Sequence, residues 1–239
     1  MLPRIALLFV FAIALPVSAA EKTGFLDKTF KNADGSESPY VLFVPAAYDG
    51  KTETPVILFL HGAGETKGGA KKPVEVGLGP VLKKQEKEFP AIVIIPQAET
   101  RGWGADTANA KRALAMLDTV TKEYKTDSKR IYLTGLSMGA YGTWSIIPTM
   151  PEKFAAIVPI CGGGDPTTAA KFKDVPCWCF HGDKDAAVPV QKSRDMIEAL
   201  KKAGGAPKYT EYPGVTHNSW DAAYADKEMW KWLFAQSKK

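Results

Sequence analysis

Five short runs, residues 55–60, 91–95, 130–134, 155–160 and 175–180, are almost continuously apolar. A strand exposed to water on one face alternates apolar and polar side chains, so strands without alternation belong in a sheet covered on both faces. Between these runs lie segments in which apolar residues return every three or four positions. Ala113, Leu117, Val120 and Tyr124 form one such stripe, Met196, Ile197 and Leu200 a second, and Trp230, Leu233 and Phe234 a third. Strands alternating with helices require right-handed crossovers and a mostly parallel sheet. Ahead of the first run, residues 25–31 and 40–44 read as strands joined through Asp34-Gly35, a hairpin signal that places an antiparallel pair at one edge. Residues 208–212 supply a last strand. The expected fold class is therefore α/β, with helices on both faces and no lid domain.

Composition excludes several classes. Of 239 residues, 45% are hydrophobic and 24% charged, which rules out a disordered, collagen-like or coiled-coil chain. The 31 basic residues exceed the 26 acidic ones by five. They are dispersed as pairs such as Lys71-Lys72, Lys83-Lys84 and Lys201-Lys202 with acids nearby, a solvated surface and not a nucleic-acid groove. Residues 1–20 carry Arg4, a wholly apolar run from Ile5 to Leu15 and a small-residue stretch ending Ser18-Ala19-Ala20. That pattern reads as a secretory signal peptide, leaving residues 21–239 as a single catalytic domain that is secreted or periplasmic. No other stretch has the length of a membrane span. Cys177 and Cys179 flank Trp178 at a spacing poor for a disulfide and read as small core residues; the three cysteines allow at most one disulfide, with Cys161 free to pair with either of the others.

The chemistry centres on Gly135-Leu136-Ser137-Met138-Gly139, which follows one apolar run and opens a helix-compatible stretch through Ile147. A tight strand-to-helix turn strains the serine backbone and presents its Oγ, while the flanking glycines avoid collisions with neighbouring segments. Serine needs a base, and there are three histidines. His61 and His181 each end an apolar run and precede a glycine, which suits structural roles. His217 lies in a loop after the last strand, where the base of a hydrolase sheet belongs. The acid belongs on the loop after residues 175–180. Asp185 lies deeper in that loop, whereas Asp183 beside Gly182 suits a turn. Met138 N–H, directly after the nucleophile, and Ala63 N–H, with Gly64 as its neighbour, are the expected oxyanion donors.

These residues resemble the serine esterases of the α/β-hydrolase fold, in particular the small secreted feruloyl and acetyl xylan esterase-like and polyhydroxybutyrate depolymerase-like enzymes. The resemblance rests on Leu60-His61-Gly62-Ala63-Gly64-Glu65, Gly135 through Trp144, His181-Gly182-Asp183-Lys184-Asp185 and His217-Asn218-Ser219-Trp220. Ala140 stands where that group commonly has a further glycine. The resemblance implies Ser137, Asp185 and His217 as the triad. It also implies a carboxylic ester substrate, polysaccharide-linked or short-chain. The three histidines are too few and too scattered for a ligand cluster, so neither metal nor organic cofactor is expected. Only residues 162–174 separate Cys161 from the acid-bearing strand, too few for a helical lid. An open site would accept an ester attached to a polymer. Trp103 and Trp220 are candidate pocket walls, and Glu65 and Gln97 candidate polar contacts. The rival readings are another acyl hydrolase, a peptidase or lysophospholipase, and an inactive hydrolase fold that binds glycans.

Overall fold

The computed structural model describes residues 22–238, so the expected signal peptide lies outside the described residues. One eight-stranded sheet runs through the molecule in the order β1-β2-β4-β3-β5-β6-β7-β8. Its strands are β1 (Gly24–Lys31), β2 (Glu37–Val44), β3 (Thr54–Leu60), β4 (Ile92–Pro96), β5 (Thr126–Leu136), β6 (Ala156–Ile160), β7 (Trp178–Gly182) and β8 (Lys208–Tyr212). The opening hairpin is antiparallel, β2 also pairs antiparallel with β4, and from β4 to β8 every pairing is parallel. The apolar runs, the hairpin signal and residues 208–212 together predict all of these strands, with β2 starting three residues earlier than expected, at Glu37, and two further shifts. β5 starts earlier and continues through Leu136, and β7 begins at Trp178, not Val175, leaving Cys177 as a single bridge to Ile157. Val175 is drawn into a turn, its N–H donating to Phe172 O.

The continuous apolar character of the strands is explained by two separate cores. On one face Val56, Leu58, Leu60, Ile92, Ile94 and Leu133 pack against α2 (Ala108–Glu123), α3 (Met138–Ile146) and α4 (Gln191–Lys202). On the other, Ile57, Phe59, Val93, Ile95, Tyr132 and Phe180 meet α1 (Leu78–Lys84), α5 (Trp220–Ala225) and α6 (Lys227–Phe234). Successive residues of β3 thus go to opposite cores, as the two-residue strand period requires. The same partition settles the cysteines. Cys177 and Cys179 belong to the first core and Cys161 to the second, so the sheet stands between them, and all three are free thiols.

From β3 the chain moves to β4 on one side, then crosses back over β3 to place β5 on its other side. At such a reversal the loops leaving the two strands diverge and open a crevice at their carboxyl ends. The loops after β3 and β5 begin at His61 and Ser137, so this crevice lies beside the serine. Burial on the β3 strand is complete, and Leu58 is 0% exposed. Replacing it by alanine is expected to lower unfolding free energy by about 2–5 kcal/mol in urea titrations, with the near-ultraviolet spectrum of the native state retained.

Candidate active site

The turn between β5 and α3 is as tight as its sequence requires. Ser137 has φ 51°, ψ −116°, a left-handed backbone that a side chain rarely adopts, and its N–H donates to Ile160 O at 2.9 Å. A Cβ on Gly139 would collide with the carbonyl of Leu60, and one on Gly135 would collide with the carbonyl of Gly139. Both positions therefore have to be glycine for the helix to start where it does.

Three loops converge on that serine. His217 Nε2 is 2.9 Å from Ser137 Oγ, and its Nδ1 is 2.6 Å from Asp185 Oδ2. With an acceptor carboxylate at Nδ1, that nitrogen carries the proton and Nε2 is the free base facing the hydroxyl. Asp185 Oδ1 accepts the N–H groups of Ala187 and Val188 at 2.9 and 2.8 Å. Burial pushes its carboxyl pKa up, but the bonds from His217 and these amides outweigh it and hold the group below the usual range. The loops that carry Asp185 and His217 are stitched together. Lys184 N–H donates to Val215 O, Asp183 N–H to Tyr212 O, and Gly214 N–H to Asp183 Oδ1. Asp183 thus ties two turns together while Asp185 faces the histidine.

Met138 opens α3 and Ala63 opens a 3₁₀ turn (Ala63–Glu65), so neither N–H has an acceptor one turn back. Both residues line a cleft of about 970 Å³ that also contains Ser137 and His217. Trp103, Tyr141, Trp144 and Val188 extend its walls. Trp103 is only 1% exposed and its Nε1 donates to His61 O, so it walls the cleft from within the core. The other candidate contacts are placed elsewhere. Gly64 and Glu65 do not line the cleft, the Gln97 amide donates to Glu65 O and Ala98 O, and Trp220 sets its ring against that of His217 at 5.3 Å. Gln97 and Trp220 brace the site's loops instead of lining it.

Two features escape the sequence reading. Residues 162–174 form no helical lid, as expected, but they do not leave the site bare. A 3₁₀ helix (Pro166–Lys171) rises there, and Gly163, Thr168 and Lys171 wall the distal end of the cleft. Tyr141, 40% exposed in this cleft, is the large hydrophobic side chain left open among the described residues. Its position two residues after Gly139 could have signalled it, since a helix that begins under the serine turns that residue toward the crevice.

Cys161, Asp185 and His217 bring potential ligand atoms within 4.8 Å of one another. The carboxylate and imidazole are already bonded to each other, and burial raises the Cys161 thiol to about 12, so the thiol keeps its proton. The donor set is better described as the Ser-His-Asp constellation with a buried thiol beside it than as a metal cage.

Residues 36–231 match the dienelactone hydrolase family. The chain belongs to that family. A bifunctional acetylxylan esterase/xylanase from Neocallimastix patriciarum is 29% identical over 142 residues, covering 54% of this chain and 21% of its own length. Poly(3-hydroxyalkanoate) depolymerase C from Paucimonas lemoignei is 27% identical over 173 residues, 67% of this chain and 40% of the depolymerase. The chain therefore spans about a fifth to two fifths of these curated relatives. A crystallised thermostable esterase superposes with a TM-score of 0.82 at 36% identity over 89% of this chain and 63% of that one. This dienelactone hydrolase family member has an α/β-hydrolase sheet with antiparallel edge strands, and among its described residues no helix is long and apolar enough to cross a membrane.

His61 supports the site without entering it. Its Nε2 accepts Ala98 N–H at 2.9 Å, and its Nδ1 donates to Gly62 O at 2.6 Å. Burial lowers its pKa from 6.5 to about 4, which keeps it neutral. In the unfolded chain it takes up a proton below pH ~6.5, so folding loses stability as pH falls from there toward 4. Between pH 7 and 4.5 this one group is expected to remove roughly 2–3 kcal/mol. Urea titrations at both pH values should show a smaller acid loss in His61→Gln than in the unsubstituted chain.

Proposed function

We propose that this chain is a serine hydrolase of carboxylic esters that works through an acyl-enzyme. The reading rests on one observation above all: an imidazole nitrogen 2.9 Å from a serine hydroxyl, with its other nitrogen on a buried carboxylate. His217 Nε2 takes the Ser137 proton as Oγ attacks the ester carbonyl. The tetrahedral oxyanion is held by the N–H groups of Met138 and Ala63, aided by the positive end of α3. His217 then returns the proton to the departing alcohol. In the second half a water molecule gives its proton to His217 and attacks the acyl-serine, releasing the acid and restoring Ser137. Asp185 stays ionised throughout and stabilises the imidazolium.

Three lines support esters over other acyl substrates: family membership, the similarity to a crystallised esterase and the similarity to an acetylxylan esterase. We read the natural substrate as an ester hanging from a polysaccharide, feruloyl or acetyl, or a short-chain ester. A cleft of about 970 Å³ with an exposed tyrosine beside the nucleophile has room for a flat ring on one side of the scissile bond. The apolar run from Ile5 to Leu15 supports export to the periplasm or medium.

Against p-nitrophenyl acetate near pH 8, Ser137→Ala is expected to lose at least about a thousandfold in kcat. Equal rates for the two proteins would refute the role of Ser137. A panel of feruloyl, acetyl-xylan and hydroxybutyrate esters identifies the substrate. There Tyr141→Ala should raise KM for feruloyl esters about fivefold or more, the worth of one aromatic contact, and leave that for p-nitrophenyl acetate nearly unchanged.

A further inference from the structure

Asp185 has a donor beyond those named so far. His181, the penultimate residue of β7 and 0% exposed, places Nε2 3.1 Å from Asp185 Oδ2 and 3.0 Å from Val188 O. Both neighbours are acceptors, so Nε2 carries the proton and donates to both. The other ring nitrogen, an acceptor in this tautomer, lies 2.8 Å from Ser193 Oγ, whose single proton serves either that nitrogen or Gly162 O at 2.9 Å, while the Cys179 thiol donates to the same oxygen at 3.3 Å. Gly162 in turn packs against the nucleophile's own turn, where a Cβ would crowd Ala140 Cβ at 2.5 Å and Ser137 O at 3.1 Å.

We propose that His181 is a positioning residue for catalysis, a second histidine on the same carboxylate oxygen as His217, bracing Asp185 while its own other nitrogen is held by Ser193. The inference rests on the triad reading above. Its physical content is twofold. Oδ2 is fixed where His217 Nδ1 needs it, because the imidazole of His181 is itself clamped at both nitrogens. The carboxylate charge is also spread over four N–H donors, from Ala187, Val188, His181 and His217, so it attracts the imidazolium proton less strongly than a bare carboxylate would. Burial lowers the His181 pKa, so His181 acts as a neutral donor at working pH. The other titratable groups facing this cluster are Cys161, Cys179, Tyr141 and Glu211. Burial pushes both thiols up to about 12 and also raises Tyr141, while the Arg194 guanidinium holds Glu211 low. None of these groups changes charge across the neutral range.

The test compares His181→Leu, which removes the donor, with His181→Gln, whose amide N–H can stand near the place of Nε2. Kinetics with p-nitrophenyl acetate from pH 5 to 9 are read on protein shown folded by circular dichroism, with Ser137→Ala as control. Loss of a hydrogen bond to a charged group is expected to lower kcat about tenfold or more in His181→Leu, with KM within about twofold. The acid limb of kcat/KM should move to higher pH, because the less-shared carboxylate holds the imidazolium more tightly. His181→Gln should recover most of kcat and the original limb. If His181→Leu does not fold, Ser193→Ala, which frees one end of the imidazole, should show the same limb shift in smaller measure. Unchanged kcat and limb in a folded His181→Leu, or in Ser193→Ala if that variant is the one available, would overturn the inference. So would a His181→Gln as impaired as His181→Leu. Full activity in Ser137→Ala would instead remove the triad reading beneath it.

Discussion

The first turn of α3 lies directly against the end of β3, and that approach is the constraint on which the site depends. A single methyl group on Gly139 would run into the Leu60 carbonyl. Because there is none, the helix can start with only Ser137 between it and the strand, that residue in a left-handed backbone conformation. The strain of that residue is offset by the hydrogen bond from its N–H to Ile160 O and by two cores that fix β5 and α3 on either side of the turn. Loosening any of these would let the serine relax into the helix and withdraw its hydroxyl from the crevice.

With Ser137 fixed by sterics, Asp185 and His217 are fixed by hydrogen bonds. β7 and β8 are parallel neighbours, so the loops leaving them emerge side by side, and their backbone bonds make one unit of Asp185 and His217. Gly182 belongs to this stitching, since a Cβ there would collide with the carbonyls of Val215 and Thr216. In the proposed reaction this amounts to electrostatic preorganisation: the carboxylate already meets its donors, and little reorganisation would remain for the moment when the imidazole takes up charge.

Much of this was legible in the sequence because it is governed by local rules. Runs such as 55–60 and 91–95 announce strands buried on both faces, and the glycines around Ser137 announce a turn that tolerates no side chain. The order serine, aspartate, histidine fits the carboxyl ends of successive parallel strands. What could not be read there depends on side-chain direction in three dimensions. Gln97 stands at the end of β4 as a plausible cleft contact, yet its amide points along the backbone of neighbouring loops. Trp220 follows the base in sequence but lies behind it. His181 looks like half of a turn-forming His-Gly pair, and only the juxtaposition of β7 with α4 shows its two nitrogens spanning Ser193 and Asp185. Cys177 and Cys179 are the core residues that their apolar run announces, whereas the question of a pairing with Cys161 is answered only in three dimensions, where the sheet separates Cys161 from the other two thiols.

The central claim is that Ser137 becomes covalently acylated because His217 removes its proton. Its most direct measurement is mass spectrometry of the protein after reaction with a fluorophosphonate, followed by peptide mapping. The expected result is one added phosphonyl group, located on the peptide containing Ser137 and strongly slowed in His217→Ala. Labelling at another residue, or none at all in folded protein, would contradict the account.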